Sequence, residues 1–142
     1  MKKLSYLFVL SLFLVGFAAD YVQAQNEPVL YLCVEYGKNG EESVSDVFTT
    51  GYLTAVVKCD YALRVKSAAI QFDKYDVDDE KWVFYKKFYY TLNPKDKYVY
   101  FSRNDESDMS FDETGFFRVY LLDEDDDSKV IASAIVKIIE KN

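Results

Sequence analysis

Histidine occurs nowhere in this 142-residue chain. Its absence excludes Ser–His and Cys–His nucleophile pairs, histidine general bases and the usual zinc or iron sites. Glycine is scarce, at five residues that do not cluster. No P-loop, dinucleotide-binding glycine pattern or nucleophile elbow is present. Together these gaps predict a protein that is not an enzyme and carries no cofactor, with Lys-based or paired-carboxylate catalysis open only in principle. Basic side chains are also in deficit, 17 against 24 acidic, for a formal charge of −7. Nucleic acid is thereby a poor partner, because phosphate contacts need a basic face. Anionic lipid head groups are disfavoured for the same reason. No stretch shows the 3.6-residue periodicity of a helix, and no internal repeat or linker divides the chain.

What is present begins with a targeting segment. Lys2 and Lys3 precede the uncharged apolar run Leu7 to Ala19, and Val22-Gln23-Ala24 supplies the small-x-small spacing of a cleavage site. Residues 1–24 therefore read as a signal peptide, with Gln25 the first mature residue. The run is shorter than the ~20 residues of a spanning helix, and no cysteine follows it at the distance a lipoprotein needs. The expected location is outside the cytoplasm, periplasmic or extracellular, with no membrane insertion after cleavage. The pattern resembles secretory signals of Gram-negative bacteria. Without Lys2, Lys3 and Asp20 the formal charge becomes −8, and residues 25–142 are long enough for one domain with a single core.

Strand signals fill that domain. Val29–Tyr36, Phe48–Cys59, Ser67–Tyr75, Lys81–Leu92 and Lys97–Ser102 are rich in β-branched and aromatic residues and bounded by turn signals. Within Lys81–Leu92, alternation assigns Trp82, Phe84, Phe88, Tyr90 and Leu92 inward and Tyr85, Lys87 and Tyr89 outward. The clearest element is a hairpin from Gly115 to Ile139. Phe117, Val119 and Leu121 share one face of its first arm; Val130, Ala132, Ala134 and Val136 share one face of its second. Pairing Leu121 with Val130 closes Asp123 on Ser128 and leaves Glu124 to Asp127 as the loop. About seven strands at regular spacing predict an all-β, antiparallel β-sandwich.

The segment Asp112 to Ile138 resembles the last two strands of immunoglobulin-like and fibronectin-like sandwiches, with Asp112, Gly115, Phe117, Val119 and Leu121 in the matching places. The resemblance implies a single immunoglobulin-like β-sandwich over residues 25–142. The corner tyrosine of that superfamily falls at Phe117, which lacks the hydroxyl, and Trp82 and the cysteines miss the antibody-domain spacing.

Three constellations could carry function. Cys33 and Cys59 could form a disulfide in an exported protein. Their strand phases differ, so a bridge needs a bulge, and bridged and free forms both stay open. Asp123, Asp125 and Asp127 alternate in a way that superficially suits calcium, without the EF-hand glycine and distal glutamate. A second acidic set, Asp76, Asp78, Asp79, Asp105, Glu106, Asp108, Asp112 and Glu113, is expected at the opposite pole. Turns favour Asp, and acidic tips keep an exported protein soluble, so solvation alone also explains both sets.

The third constellation is aromatic. The hairpin register puts Tyr120 across from Ile131 and Phe116 across from Ile135, away from the core. Tyr85 and Tyr89 join them by phase. Phe116, Tyr120, Ile131, Ile135, Tyr85 and Tyr89 then make an apolar sheet face of the kind that marks contact surfaces, although cross-strand aromatic pairs also simply stabilise sheets. Two functions follow. One is a binding or structural accessory module that meets a protein partner, or a second copy, through this face or an exposed edge strand. The alternative is a small carbohydrate-binding module whose tyrosines stack on sugar rings, weakened by Tyr85→Ala or Tyr89→Ala. The mixture with isoleucine favours the first.

Overall fold

The computed structural model describes residues 27–104 and 107–141. The expected signal peptide, residues 1–24, and the pair Asp105 and Glu106 lie outside the described residues. Twelve strands run in order: β1 Val29–Cys33, β2 Glu35–Gly37, β3 Gly40–Glu42, β4 Val47–Thr49, β5 Gly51–Tyr52, β6 Thr54–Lys58, β7 Ser67–Asp76, β8 Lys81–Thr91, β9 Tyr98–Phe101, β10 Ser110–Phe111, β11 Gly115–Asp123 and β12 Lys129–Ile139. They form a five-stranded sheet in the order β4-β12-β11-β7-β8 and a three-stranded sheet β1-β6-β9, with the small pairs β10-β5 and β2-β3. The all-β, sandwich-like class read from the alternation is therefore the observed one.

The core lies between the two larger sheets. Leu30, Leu32, Ala55, Val57 and Phe101 come from the smaller, and Ile70, Phe72, Phe117, Val119, Leu121, Ala132, Val136 and Ile138 from the larger. Phe111 binds this core together edge-on, with ring centroids 5.2 Å from Phe72 and 5.0 Å from Phe117. Burying these rings and aliphatic side chains supplies the main folding term.

Several expected strands are broken. Val29–Tyr36 divides at Val34 into β1 and β2, and β2 turns back on β3 as a hairpin where the sequence suggested only a turn. Phe48–Cys59 is cut at Thr50 and again at Leu53, around β5, whose Gly51 takes a φ of 139° that a side chain would resist. The cuts let one stretch serve both sheets. β4 pairs parallel with the end of β12, a departure from the all-antiparallel expectation, while β6 lies between β1 and β9.

The central hairpin keeps its faces but slips by two residues. Leu121 pairs with Ala132, Val119 with Ala134 and Phe117 with Val136. Asp127 and Ser128 take positive φ, at 49° and 58°, which lengthens the loop by one residue so that Asp123 closes on Lys129. The second residue is absorbed by a bulge at Ile131, since Leu121 pairs with Ala132 but Leu122 with Val130. Beyond the bulge the phase inverts: Ile131 packs against the core and Val130 is exposed.

A second bulge does the same to β8. Phe72 pairs with Lys86 and Asp73 with Phe84, leaving Tyr85 unopposed. Tyr85 turns inward against Phe117, 5.2 Å between centroids, and Trp82 and Phe84 move to the outer face, opposite to their expected side.

Cys33 and Cys59 are free thiols. They sit at opposite ends of one ladder: Cys33 pairs with Thr54, whereas Cys59 follows Lys58, the partner of Val29. At about 3.4 Å per residue the separation far exceeds the reach of a disulfide.

Candidate functional site

The two outer faces of the sandwich differ in what covers them. On the three-stranded sheet, Tyr31, Cys33, Val56, Lys58, Tyr98 and Tyr100 share the outer phase, from the pairs Tyr31↔Val56↔Tyr100 and Lys58↔Tyr98. The β2–β3 hairpin lies over them. Tyr36 stacks on Tyr100 at 4.5 Å and 17°, and Val56 and Cys33 are fully buried beneath. Glu41 fixes the cover in place. Its Oε1 accepts from the Tyr31 hydroxyl at 2.5 Å and the Tyr98 hydroxyl at 2.9 Å, and pairs with Lys58 Nζ at 2.6 Å. Lys58 first, then the Tyr31 hydroxyl, draw the Glu41 carboxyl down to about 2. The same bond raises the Lys58 ammonium. Burial, with Glu41 second, raises the Tyr98 phenol. Burial also pushes the Cys33 thiol up, so Cys33 is an inert core residue.

The outer face of the five-stranded sheet has no such hairpin over it among the described residues. Its register sets three rows across the strands: Phe84–Asp73–Arg118–Ile135, Lys87–Gln71–Tyr120–Ser133 and Tyr89–Ala69–Leu122–Val130. Trp82 with Tyr75, and Phe116 with Lys137, extend the face at one end. Phe84 is 61% exposed, Tyr89 66%, Ile135 56% and Phe116 47%. These are large apolar groups left in water, Phe84 and Tyr89 on β8 and Phe116 and Ile135 on β11 and β12, with β7 between the two pairs.

Cations lie against the rings of this face. Arg118 packs on Trp82 at 4.6 Å and Tyr120 at 4.8 Å, Lys87 on Tyr89 at 5.1 Å and Lys137 on Phe116 at 5.7 Å. Beneath Arg118, Asp73 is nearly buried; its Oδ1 accepts from Gln71 at 2.9 Å and its Oδ2 faces Arg118 at 3.5 Å. Lys87 pairs with Glu124 at 2.8 Å, which holds that carboxyl below the usual range. Beside Phe84 and Phe116, a cleft of about 610 Å³ opens at the β7–β8 turn, with Tyr75, Val77 and Val83 in its wall.

Of the residues the sequence proposed for this surface, Tyr89, Phe116, Tyr120 and Ile135 share it. Tyr85 and Ile131 do not, because each is the extra residue of a bulge and points at the core. The expected pairings change accordingly: Tyr120 faces Ser133, Phe116 faces Lys137, and Ile135 faces Arg118. A sugar-stacking pair of Tyr85 and Tyr89 is split between the two sides of the sheet. Sequence reasoning missed Trp82 and Phe84, which no local signal places outward. It also passed over Arg118, although the outward phase of Phe116, Tyr120 and Leu122 already contained it.

The acidic sets are occupied locally. Asp123 accepts the Asp125 amide at 3.0 Å, Asp125 accepts the Ser67 amide at 3.0 Å, and Asp126 pairs with Lys129 at 3.3 Å. Asp125 and Asp127 thus belong to the five-residue loop 124–128, and Asp123 closes it from the end of β11. At the other end Asp76 accepts the amides of Asp78 and Asp79, Asp79 pairs with Lys81, Glu113 bonds Lys74, and Lys86 reaches Asp112 at 3.2 Å and Asp108 at 3.7 Å. Among the described residues no group of three or more acidic or Cys side chains is placed to hold a metal ion. The open edge, β8, carries Lys81, Lys86 and Lys87 and a bulge, devices that oppose edge-to-edge pairing.

No protein-family model and no curated protein matches this chain.

Proposed function

We propose that the chain is an exported, non-catalytic binding module of immunoglobulin-like build, whose partner docks on the outer face of the five-stranded sheet. The observation that carries this reading is the contrast between the faces: one is roofed by the chain's own hairpin, the other leaves Phe84, Tyr89, Phe116 and Ile135 in water. Surfaces of that composition are enriched at contacts, where aromatic and Arg anchors dominate binding. The immunoglobulin-like assignment draws support from strand order. β1-β6-β9 and β12-β11-β7-β8 follow the A-B-E and G-F-C-C′ orders of that superfamily. Export is supported by the sequence of residues 1–24, and a mature N-terminus at Gln25 tests it. The lack of histidine supports a non-catalytic role.

A photo-crosslinking amino acid at position 84 or 135 tests the surface in cells that make the protein. A protein adduct from those positions, and none from position 38 on the β2–β3 turn, is the expected result. Adducts from position 38 alone would sink the proposal. Glycan retention without a protein adduct would favour the carbohydrate-binding alternative.

A further inference from the structure

The open face is electrically unlike the rest of the molecule. The chain has 24 acidic residues against 17 basic, yet the outward positions on these strands hold Lys87, Arg118 and Lys137 against one carboxylate, the nearly buried Asp73, with Lys87 already paired to Glu124 of the hairpin loop. Arg118 is the cation at the centre, and its pairing is incomplete. A guanidinium has five N–H donors. Here one terminal nitrogen reaches Asp73 at 3.5 Å, beyond a good hydrogen bond. Its Nε is buried and has no hydrogen-bond partner among the described residues. The side chain as a whole stays 31% exposed. Trp82 and Tyr120 rest against the guanidinium. A carboxylate that approaches in the guanidinium plane bonds two N–H groups at once.

From this we infer that the face recognises a polypeptide presenting an Asp or Glu side chain among apolar residues, with the carboxylate on Arg118. The apolar neighbours would lie on Ile135, next to Arg118 in the row, on Phe84 beyond Asp73 in the same row, and in the cleft beside Phe84 and Phe116. This rests on the proposed docking face and adds the chemistry of what docks there. A dense polyanion is disfavoured, since three cations cannot offset the repulsion of an acidic molecule. A second copy meeting face to face would bring two like-signed surfaces together, which opposes binding.

Random dodecapeptides displayed on phage and panned on the purified protein provide the probe, and Trp82 provides the signal. It is the chain's single tryptophan and touches Arg118, so its emission reports occupancy. Selected peptides should carry Asp or Glu beside aromatic or aliphatic residues. Their affinity should fall at least about tenfold in Arg118→Lys, which keeps the charge but loses the fork, and should weaken with added salt. Lys38→Gln should bind as the unaltered protein does, and near-identical melting temperatures would show that Arg118→Lys is folded. Peptides without acidic residues, or unchanged binding in Arg118→Lys, would overturn the inference. If Phe84→Ser weakens binding while Arg118→Lys does not, the docking face stands and the carboxylate partner falls. If neither matters, both fall. Self-association in sedimentation that Arg118→Lys abolishes would reassign the occupant to a second copy and overturn the proposed partner.

Discussion

The two outer faces of this sandwich start from similar chemistry and finish differently. Both carry tyrosines and cations in the outward phase: Tyr31, Tyr98, Tyr100 and Lys58 on the smaller sheet, Tyr89, Tyr120, Lys87 and Arg118 on the larger. On the smaller sheet the β2–β3 hairpin folds back. One glutamate collects two phenols and a lysine, and Val56 and Cys33 become core. On the larger sheet Phe84, Tyr89 and Phe116 keep their water, and the Nε of the central arginine has no hydrogen-bond partner among the described residues. On the smaller sheet the chain's own hairpin closes the face; on the larger no described hairpin does so. Burial therefore does not follow from composition; it follows from whether a further element reaches the face.

Substitutions can break that contrast or sharpen it. The largest loss should come from the core both sheets share. Phe117→Ala removes a fully buried ring packed on Tyr85 and Phe111, and should cost about 3–5 kcal/mol in urea unfolding. Val56→Ala, under the hairpin, removes two buried methyl groups and should cost about 2 kcal/mol. Phe84→Ser on the open face should cost below about 1 kcal/mol, because the ring is already 61% exposed. Equal losses at Val56 and Phe84 would mean that the faces are covered alike, and the comparison would fail.

A smaller effect separates the faces by pH. The Glu41 carboxyl drops from an ordinary 4.5 to about 2 in the folded chain. A carboxyl lowered by folding stabilises fully above its unfolded value, and that stability is lost as pH falls from about 4.5 towards 2. Glu41→Gln should flatten the plot of Tm against pH in that window, whereas Phe84→Ser should leave the slope unchanged. The smallest perturbation is a thiol count. In the native chain a thiol reagent should modify the partly buried Cys59 faster than Cys33, which reacts once the hairpin and strand beneath it open. Two protected thiols that appear only after reduction would point to a disulfide, against the observed strand placement.

Much of the larger sheet was legible in the sequence because alternation is a local signal. Phe117, Val119, Leu121, Ala132 and Val136 point inward as their spacing requires. Tyr89, Phe116, Tyr120 and Ile135 fall on the outer face for the same reason. Tyr85 and Ile131 were misplaced by the two bulges, and Trp82 and Phe84 followed Tyr85 to the wrong side. A single inserted residue reverses every phase beyond it. Nothing in the stretch from Lys81 to Leu92 announces the insertion; it exists only relative to the partner strand β7, where Phe72 and Asp73 pair with Lys86 and Phe84.

By itself, then, the sequence determined the all-β class and the approximate positions of the longer strands, because alternation is read from neighbours two residues apart. Only the tertiary structure decided which sheet each strand joins, where the bulges fall and which face goes uncovered. It alone brought Arg118 of β11 across β7 to Trp82 of β8. That contact joins residues 36 positions apart in the chain, and its geometry depends on register, a property of paired strands that no single strand encodes.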